Sequence, residues 1–232
     1  MTRYDVPRAG RELRALLKNP DDLPRVFGLI EALQGNAPQT LREGFLSSDE
    51  GRALLSRKPD LVPMLTDREK LRAMPKGSLA HAYLAFVESE NISAEGILTA
   101  AKEGSQRVDE DPDTAWLRGR MRDTHDLWHA VLGYQGDVLG ELALLCFILS
   151  QHWQPGIALV VAGALTKGMA AENLWLLADG YVRGKRAAWF PSQPWEELLP
   201  MQLADVRARL KVGPLTAYTP VRSAELRERG IV

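Results

Sequence analysis

Two histidines and an aspartate stand together in His125-Asp126-Leu127-Trp128-His129, and Glu141 follows His129 after eleven intervening residues. On a helix, at about 100° per residue, all three of His125, Asp126 and His129 fall inside an arc of roughly 100°. Spacing i, i+4 puts the two imidazoles about one turn apart, near enough to grip one metal ion. Two nitrogens and a carboxylate suit a borderline divalent ion such as zinc or iron. Glu141 can supply a fourth ligand if the next helix returns alongside the first. The bland alternative is a solvated helix face, with Asp126 an ordinary surface acid and Glu141 paired with Arg122. Against it, the motif is embedded in apolar sequence, from Leu127 to Leu132 before the turn and from Leu142 to Leu149 after it. Four polar groups beside such a core need something to offset their desolvation.

Two similar motifs fit less well. Zinc metalloproteases use HExxH, with Glu as general base; here Asp126 holds that place, and its shorter side chain reaches more naturally for the metal. Phosphohydrolases with a His-Asp dyad need a further upstream His, and His81 lies 44 residues away. His81 reads as a helix-face or core histidine and His152, beside Trp153, as structural. The single cysteine, Cys146, sits in an apolar run and reads as an inert core thiol rather than a nucleophile.

The elements that must position these groups are helical. The chain has 232 residues, 45% hydrophobic and 25% charged, in proportions ordinary for a globular protein. Its 29 basic and 30 acidic residues nearly cancel. No basic excess points to nucleic acid, and one cysteine excludes an internal disulfide framework and fits a reducing compartment. The N-terminus lacks signal-peptide character and carries acids early, unlike a transit peptide. The longest apolar stretches, Leu142–Leu149 and Ile157–Leu165, fall short of the ~20 residues a membrane-crossing helix needs. A cytoplasmic protein is expected, with room for docking at a membrane surface but no strongly basic amphipathic helix that demands it.

Ala, Leu, Arg and Glu dominate and alternating β-branched runs are scarce, so one all-α multi-helix domain over 1–232 is expected, with apolar central helices. Helices are expected over 11–18, 24–34, from a Ser48 cap to Ser56, after a Thr66–Glu69 capping box, along the Leu79–Val87 stripe and over 94–103 behind Ser93. Asp111-Pro112 opens a helix running to Leu132, with Gly133 as its stop. Gly133 and Gly136 allow the reversal into a helix that begins near Asp137 and carries Glu141 one turn in. Pro155-Gly156 opens the apolar helix to Leu165, and helices follow at about 169–188 and 195–210. Residues 213–232 read as a tail or an oligomer arm, and a homo-oligomer is expected.

HDLWH followed by eleven residues and Glu resembles the signature of the ubiquinone-biosynthesis family called coenzyme Q biosynthesis protein four. Pro75-Lys76-Gly77-Ser78-Leu79 with Tyr83 after it, Arg120, Gly133, Leu139-Gly140-Glu141, Gly184-Lys185-Arg186-Ala187 and Trp195-Glu196 extend the likeness over about 75–212. Lys185 stands where the resemblance leads one to expect Arg, and Trp189 is bulkier than it implies.

The resemblance implies an all-α protein that associates peripherally with membranes, binds isoprenoid lipid and joins other quinone-biosynthesis proteins; for a chain expected in the cytoplasm, the docking face is the inner face of the membrane. It implies a divalent-metal site, usually zinc, with His125, Asp126, His129 and Glu141 as ligands. It also implies that the carboxyl on ring carbon one of a polyprenyl benzoate is replaced by a hydroxyl. A polyprenylated quinone precursor needs a long apolar groove, since each buried methylene contributes ~0.8 kcal/mol. Leu142, Leu145 and Leu149 are candidates to line it; their alternative is plain core packing. A non-catalytic lipid-binding scaffold for the other enzymes is the competing function.

Overall fold

The computed structural model describes residues 4–105, 110–214 and 216–232. Every regular element among the described residues is a helix; they hold one isolated bridge, between Ser78 and Gln202, and no strand. The chain opens with α1 (Val6–Leu16), α2 (Leu23–Ala32), α3 (Ala37–Leu46) and α4 (Asp49–Arg57). The short α5 (Val62–Thr66) and α6 (Arg68–Ala73) lead into α7 (Leu79–Ser89), α8 (Ala94–Gly104) and α9 (Pro112–Asp123). Then come α10 (His125–Leu132), α11 (Val138–Gln151), α12 (Pro155–Thr166), α13 (Leu174–Arg186), α14 (Trp195–Leu198), α15 (Leu203–Arg209) and α16 (Ser223–Glu228).

Side-chain caps explain several of the helix starts. Asp5, Ser48, Ser78, Ser93, Asp111 and Asp137 each accept a backbone N–H from the first turn of the helix they precede. The cap of α6 is Asp67, not Thr66: its carboxylate accepts from Lys70, so the expected capping box is displaced by one residue. The Pro75–Leu79 segment turns through Gly77 at φ +79°, a left-handed conformation that glycine adopts without penalty. Leu79 and Ala80 then donate to the carbonyls of Met201 and Leu199, tying the start of α7 to the link between α14 and α15.

Three expected helices are divided. The 112–132 helix breaks at Thr124, whose buried hydroxyl bonds back to the carbonyl of Arg120 at 2.8 Å; such back-bonding bends helices. The segment at 169–188 begins later, because Gly168 at φ +75° closes α12 and Met169 donates back to Ala164. A 3₁₀ turn at Ala171–Asn173 precedes α13. The segment at 195–210 is α14 and α15, interrupted at Pro200. Three helices have no counterpart in the sequence reading: α3, α5 and α16.

The main core runs from α5 to α16 and centres on an aromatic group in which Phe190 packs edge-on against Trp128, Phe147 and Trp195 at 4.8–5.5 Å. Its largest helix interface is α11 on α13, where Gly180 and Gly184 let the backbones meet. Trp189 lies over Gly44 and edge-on to Phe45 at 5.3 Å, which accommodates its bulk. No single helix among the described residues is long and apolar enough to cross a membrane; only α12 with the 171–186 segment passes by length and composition, bent by 112°.

Candidate metal centre

The motif helix α10 ends at Gly133, in the left-handed region at φ +76°, with its N–H on the carbonyl of His129. Four residues later Asp137 caps α11, and its backbone carbonyl accepts the N–H of Glu141 at 2.8 Å. This short reversal sets the first turn of α11 beside α10. Glu141 Oε1 lies 3.2 Å from His129 Nε2, and Oε2 lies 3.6 Å from His125 Nε2. The imidazole centroids are 4.8 Å apart. One ligand atom from each of His125, His129 and Glu141 lies within 4.8 Å of the others, a spacing that can hold a metal ion.

The other ring nitrogens are already engaged. His129 Nδ1 donates to the carbonyl of Tyr134 at 3.1 Å, and His125 Nδ1 donates to Asp126 at 3.3 Å. A carbonyl only accepts, so the ring proton of His129 belongs on Nδ1 and a neutral ring presents Nε2 as a bare lone pair. That Nε2 is buried and has no hydrogen-bond partner among the described residues. It faces a carboxylate, which also has only lone pairs to offer. Only a proton or a cation relieves such an encounter.

Of the four expected ligands the structure brings three together. Asp126 is buried and lies against His125 Nδ1 at 3.3 Å, outside the cluster that the other three form. A carboxylate behind an imidazole fixes the ring's tautomer and raises its basicity. The surface pairing of Glu141 with Arg122 does not occur; Arg122 pairs with Asp123.

Charge reinforces the arrangement. At Glu141 the surrounding protein disfavours the charged form, but His129 and then His125 outweigh it and hold the carboxyl down to about 2. At His125 burial pulls toward neutrality, and Asp126 and Glu141 reverse it and raise the imidazole above its ordinary value. The His129 side chain is fully enclosed, whereas 27% of His125 and 42% of Glu141 reach solvent, so the centre is open on one side.

Sequence reasoning missed the supports. Phe86 stacks on His129 with centroids 4.7 Å apart and planes 13° from parallel; its place in the α7 stripe marked it only as core. Tyr134 acts through its backbone carbonyl, which no residue pattern reveals. Glu90 receives the N–H of Gly136 at 3.1 Å and pairs with Arg222. Cys146 is buried, which pushes its thiol up to about 11 and agrees with an inert role. His81 is bound to the carbonyl of Arg72 at 3.2 Å, away from the centre.

The expected lipid-lining residues divide. Leu142 points into the core, whereas Leu145 and Leu149 are partly exposed and share the stripe of Glu141. At i, i+4 and i+8 that stripe extends about 12 Å along α11.

A family model described as coenzyme Q (ubiquinone) biosynthesis protein Coq4 matches residues 9–216, well beyond the 75–212 over which the motifs trace a resemblance. Ubiquinone biosynthesis protein COQ4 homolog 1, mitochondrial, of Culex quinquefasciatus is 28% identical over 207 residues, 89% of this chain and 74% of that protein. Ubiquinone biosynthesis protein COQ4, mitochondrial, of Yarrowia lipolytica is 30% identical over 179 residues, 74% of this chain and 65% of that protein. A crystal structure of a Nostoc punctiforme protein assigned to ubiquinone biosynthesis superimposes with a TM-score of 0.68, at 22% identity, over 91% of this chain and all of that one. This last likeness concerns the fold.

Proposed function

Because this chain belongs to the coenzyme Q (ubiquinone) biosynthesis protein Coq4 family, we propose that its metal centre acts on the head of a polyprenylated quinone precursor. The reaction is replacement of the carboxyl on ring carbon one by a hydroxyl. The single observation that carries the metal reading is the convergence of two imidazole Nε2 atoms, that of His129 buried and without a hydrogen-bond partner among the described residues, on one carboxylate, over His125, His129 and Glu141. Two nitrogens and carboxylate oxygen suit zinc best and admit iron. When bound, such an ion supplies a Lewis acid for an anionic head group.

The chain's own residues do the rest. Asp126 and Tyr134 keep both Nδ1 atoms protonated and both Nε2 atoms available. Phe86 keeps His129 from rotating. The aromatic head approaches from the open side beside His125 and Glu141, and its tail lies along Leu145 and Leu149. The exchange is a two-electron oxidation that releases carbon dioxide, so an oxidant from outside the protein takes part, dioxygen in the simplest case.

The substrate's tail places the protein at a membrane face. On α13, Leu174, Trp175, Ala178, Tyr181 and Val182 are all exposed along one side, with Lys185 and Arg186 at its end. Amphipathic rings beside cations suit a lipid interface. Association with other quinone-biosynthesis proteins and with a second copy of this chain belongs to the same reading.

The deciding experiment is His129→Ala in cells that depend on this chain for quinone. Quinone should disappear, the carboxylated precursor should accumulate, and the helical signal of the purified variant should persist. Normal quinone production would reject the reading. One observation favours the scaffold alternative: Glu90, the acid that braces the link beside the centre, is held by Arg222 and by the Gly136 N–H and so is not free to serve as a general base. Under that alternative the metal is structural, and the variant loses helicity along with quinone.

A further inference from the structure

The His pair and Glu141 come from two helices joined by residues 133–137, and their spacing is only as fixed as that link. The link has few bonds of its own. Besides the bond from the His129 ring to the Tyr134 carbonyl and the stacking of Arg183 on the Tyr134 ring, much of what holds it arrives from the far end of the sequence. The Tyr218 hydroxyl donates to Asp137 Oδ2 at 2.6 Å and accepts the N–H of Gln135 at 2.9 Å. Val221 and the 137–138 segment are paired twice: the Val221 N–H reaches Asp137 Oδ1 at 2.9 Å and the Val138 N–H reaches the Val221 carbonyl at 2.9 Å. Arg222 grips Glu90 with two nitrogens, at 2.6 and 3.1 Å, and the carbonyl of Gly136 at 3.1 Å. The same Glu90 accepts the N–H of Gly136.

The segment is itself anchored at both ends. Thr216 donates to Asp179 on α13 at 2.5 Å, and α16 buries Leu226 while Arg227 holds Asp21 and Asn19 near the N-terminus. The segment in which a tail or an oligomer arm is expected thus packs on its own chain. Apart from Thr216 it lies beyond residue 216, where the match to the family ends.

We propose that residues 216–229 are a clamp whose Tyr218 and Arg222 are positioning residues for the metal centre, acting through Asp137, Glu90 and Gly136 on the separation of Glu141 from the two histidines. The inference rests on the metal reading of that centre. Neither residue touches the ligand atoms. Their bonds end on the link and on the acid that braces it, so releasing them frees the first turn of α11 relative to α10. A looser donor set binds a cation less tightly and imposes its geometry less firmly.

The test uses the full chain titrated with Zn²⁺ against a chromogenic chelator, and with Co²⁺ followed by visible absorption. Tyr218→Phe removes one hydroxyl and keeps the ring; Arg222→Ala removes the grip on Glu90, and Arg222→Lys restores charge without the fork. Tyr218→Phe and Arg222→Ala should each weaken Zn²⁺ about tenfold and broaden or shift the Co²⁺ band, with Arg222→Lys between. Metal-free melting temperatures should stay within a few degrees of the unchanged chain. Unaltered affinity and an unaltered Co²⁺ band in both variants would overturn the clamp. So would a metal-free melt that collapses in step with affinity in Tyr218→Phe as well as Arg222→Ala, which would make the segment a general structural tie. If the unchanged chain takes up no metal, the reading of the centre itself falls and the clamp with it, an outcome visible before any variant is made.

Discussion

His129 Nε2 and Glu141 Oε1 face each other at 3.2 Å, with the proton of the imidazole held on its far side by the carbonyl of Tyr134. Two lone pairs at that distance repel, and a divalent ion between them turns that repulsion into coordination. Ligand-linked stabilisation should follow. At a free metal concentration a hundred times the dissociation constant, the gain is about 2.7 kcal/mol. For a chain of this size that raises the melting temperature by roughly 5–10 °C. A thermal melt with Zn²⁺ and with excess chelator measures it; His129→Ala should abolish the difference.

Asp126 and Glu141 should differ in kind. Glu141→Gln removes the charge that converges on both imidazoles and should abolish measurable binding. Asp126→Asn leaves all three ligand atoms in place but weakens the hold on His125 Nδ1 at 3.3 Å. It should cost roughly 10–100-fold in metal affinity, the usual effect of losing a carboxylate behind a ligating imidazole. Equal losses in the two variants would mean that Asp126 is itself a ligand.

That distinction marks how far the sequence could be read. His125, His129 and Glu141 were legible because i, i+4 spacing and a glycine-stopped helix are local facts. The placement of Asp126 against His125 Nδ1 was not, because a helical arc of ~100° admits both a ligand and a backing group. The helices could be found from caps such as Ser48 and Asp111. The break at Thr124 could not, since a hydroxyl bonding four residues back leaves the apolar period intact. The least legible part is the clamp: Tyr218 meets Asp137 across 81 positions of chain, and neither carries a pattern that names the other.

Gly180 and Gly184 carry the contact between α13 and α11. A Cβ at Gly180 would stand 3.1 Å from the carbonyl carbon of Ala143 and nearer still to its oxygen; one at Gly184 would stand 2.8 Å from the carbonyl oxygen of Phe147 and run into the Ser150 hydroxyl. Backbone cannot step aside as a flexible side chain can. Gly180→Ala should therefore destabilise by about 1–3 kcal/mol despite its higher helix propensity, as overpacked cores do. Urea unfolding reads this directly; a neutral or stabilising result would show that the two helices can separate at little cost.

His152 should make the fold sensitive to acid. Burial pulls its pKa from 6.5 down to about 4. The unfolded chain therefore binds a proton below about 6.5 that the folded chain refuses until about 4. Stability contributed by the neutral ring is intact above 6.5 and is lost progressively as pH falls through that window. His152→Gln should flatten the decline in melting temperature between pH 7 and pH 5. A slope unchanged by the substitution would assign acid sensitivity elsewhere.

The exposed side of α13 should matter to membranes and not to folding. Trp175 and Tyr181 stand half out of the protein, so replacing both with serine removes little packing and should leave the melting temperature almost unchanged. Each ring buried in a lipid interface contributes up to about 1.5–3 kcal/mol, so the double variant should lose at least roughly tenfold in partitioning to vesicles. Co-sedimentation with vesicles containing anionic lipid measures it, with Lys185→Glu as a test of the cationic edge. Trp153, more exposed still but on the link between α11 and α12, is the control. If Trp153→Ser loses as much binding as the α13 pair, the lipid-facing side is not the one α13 defines, and the path from bilayer to Leu145, Leu149 and the metal centre has to start elsewhere.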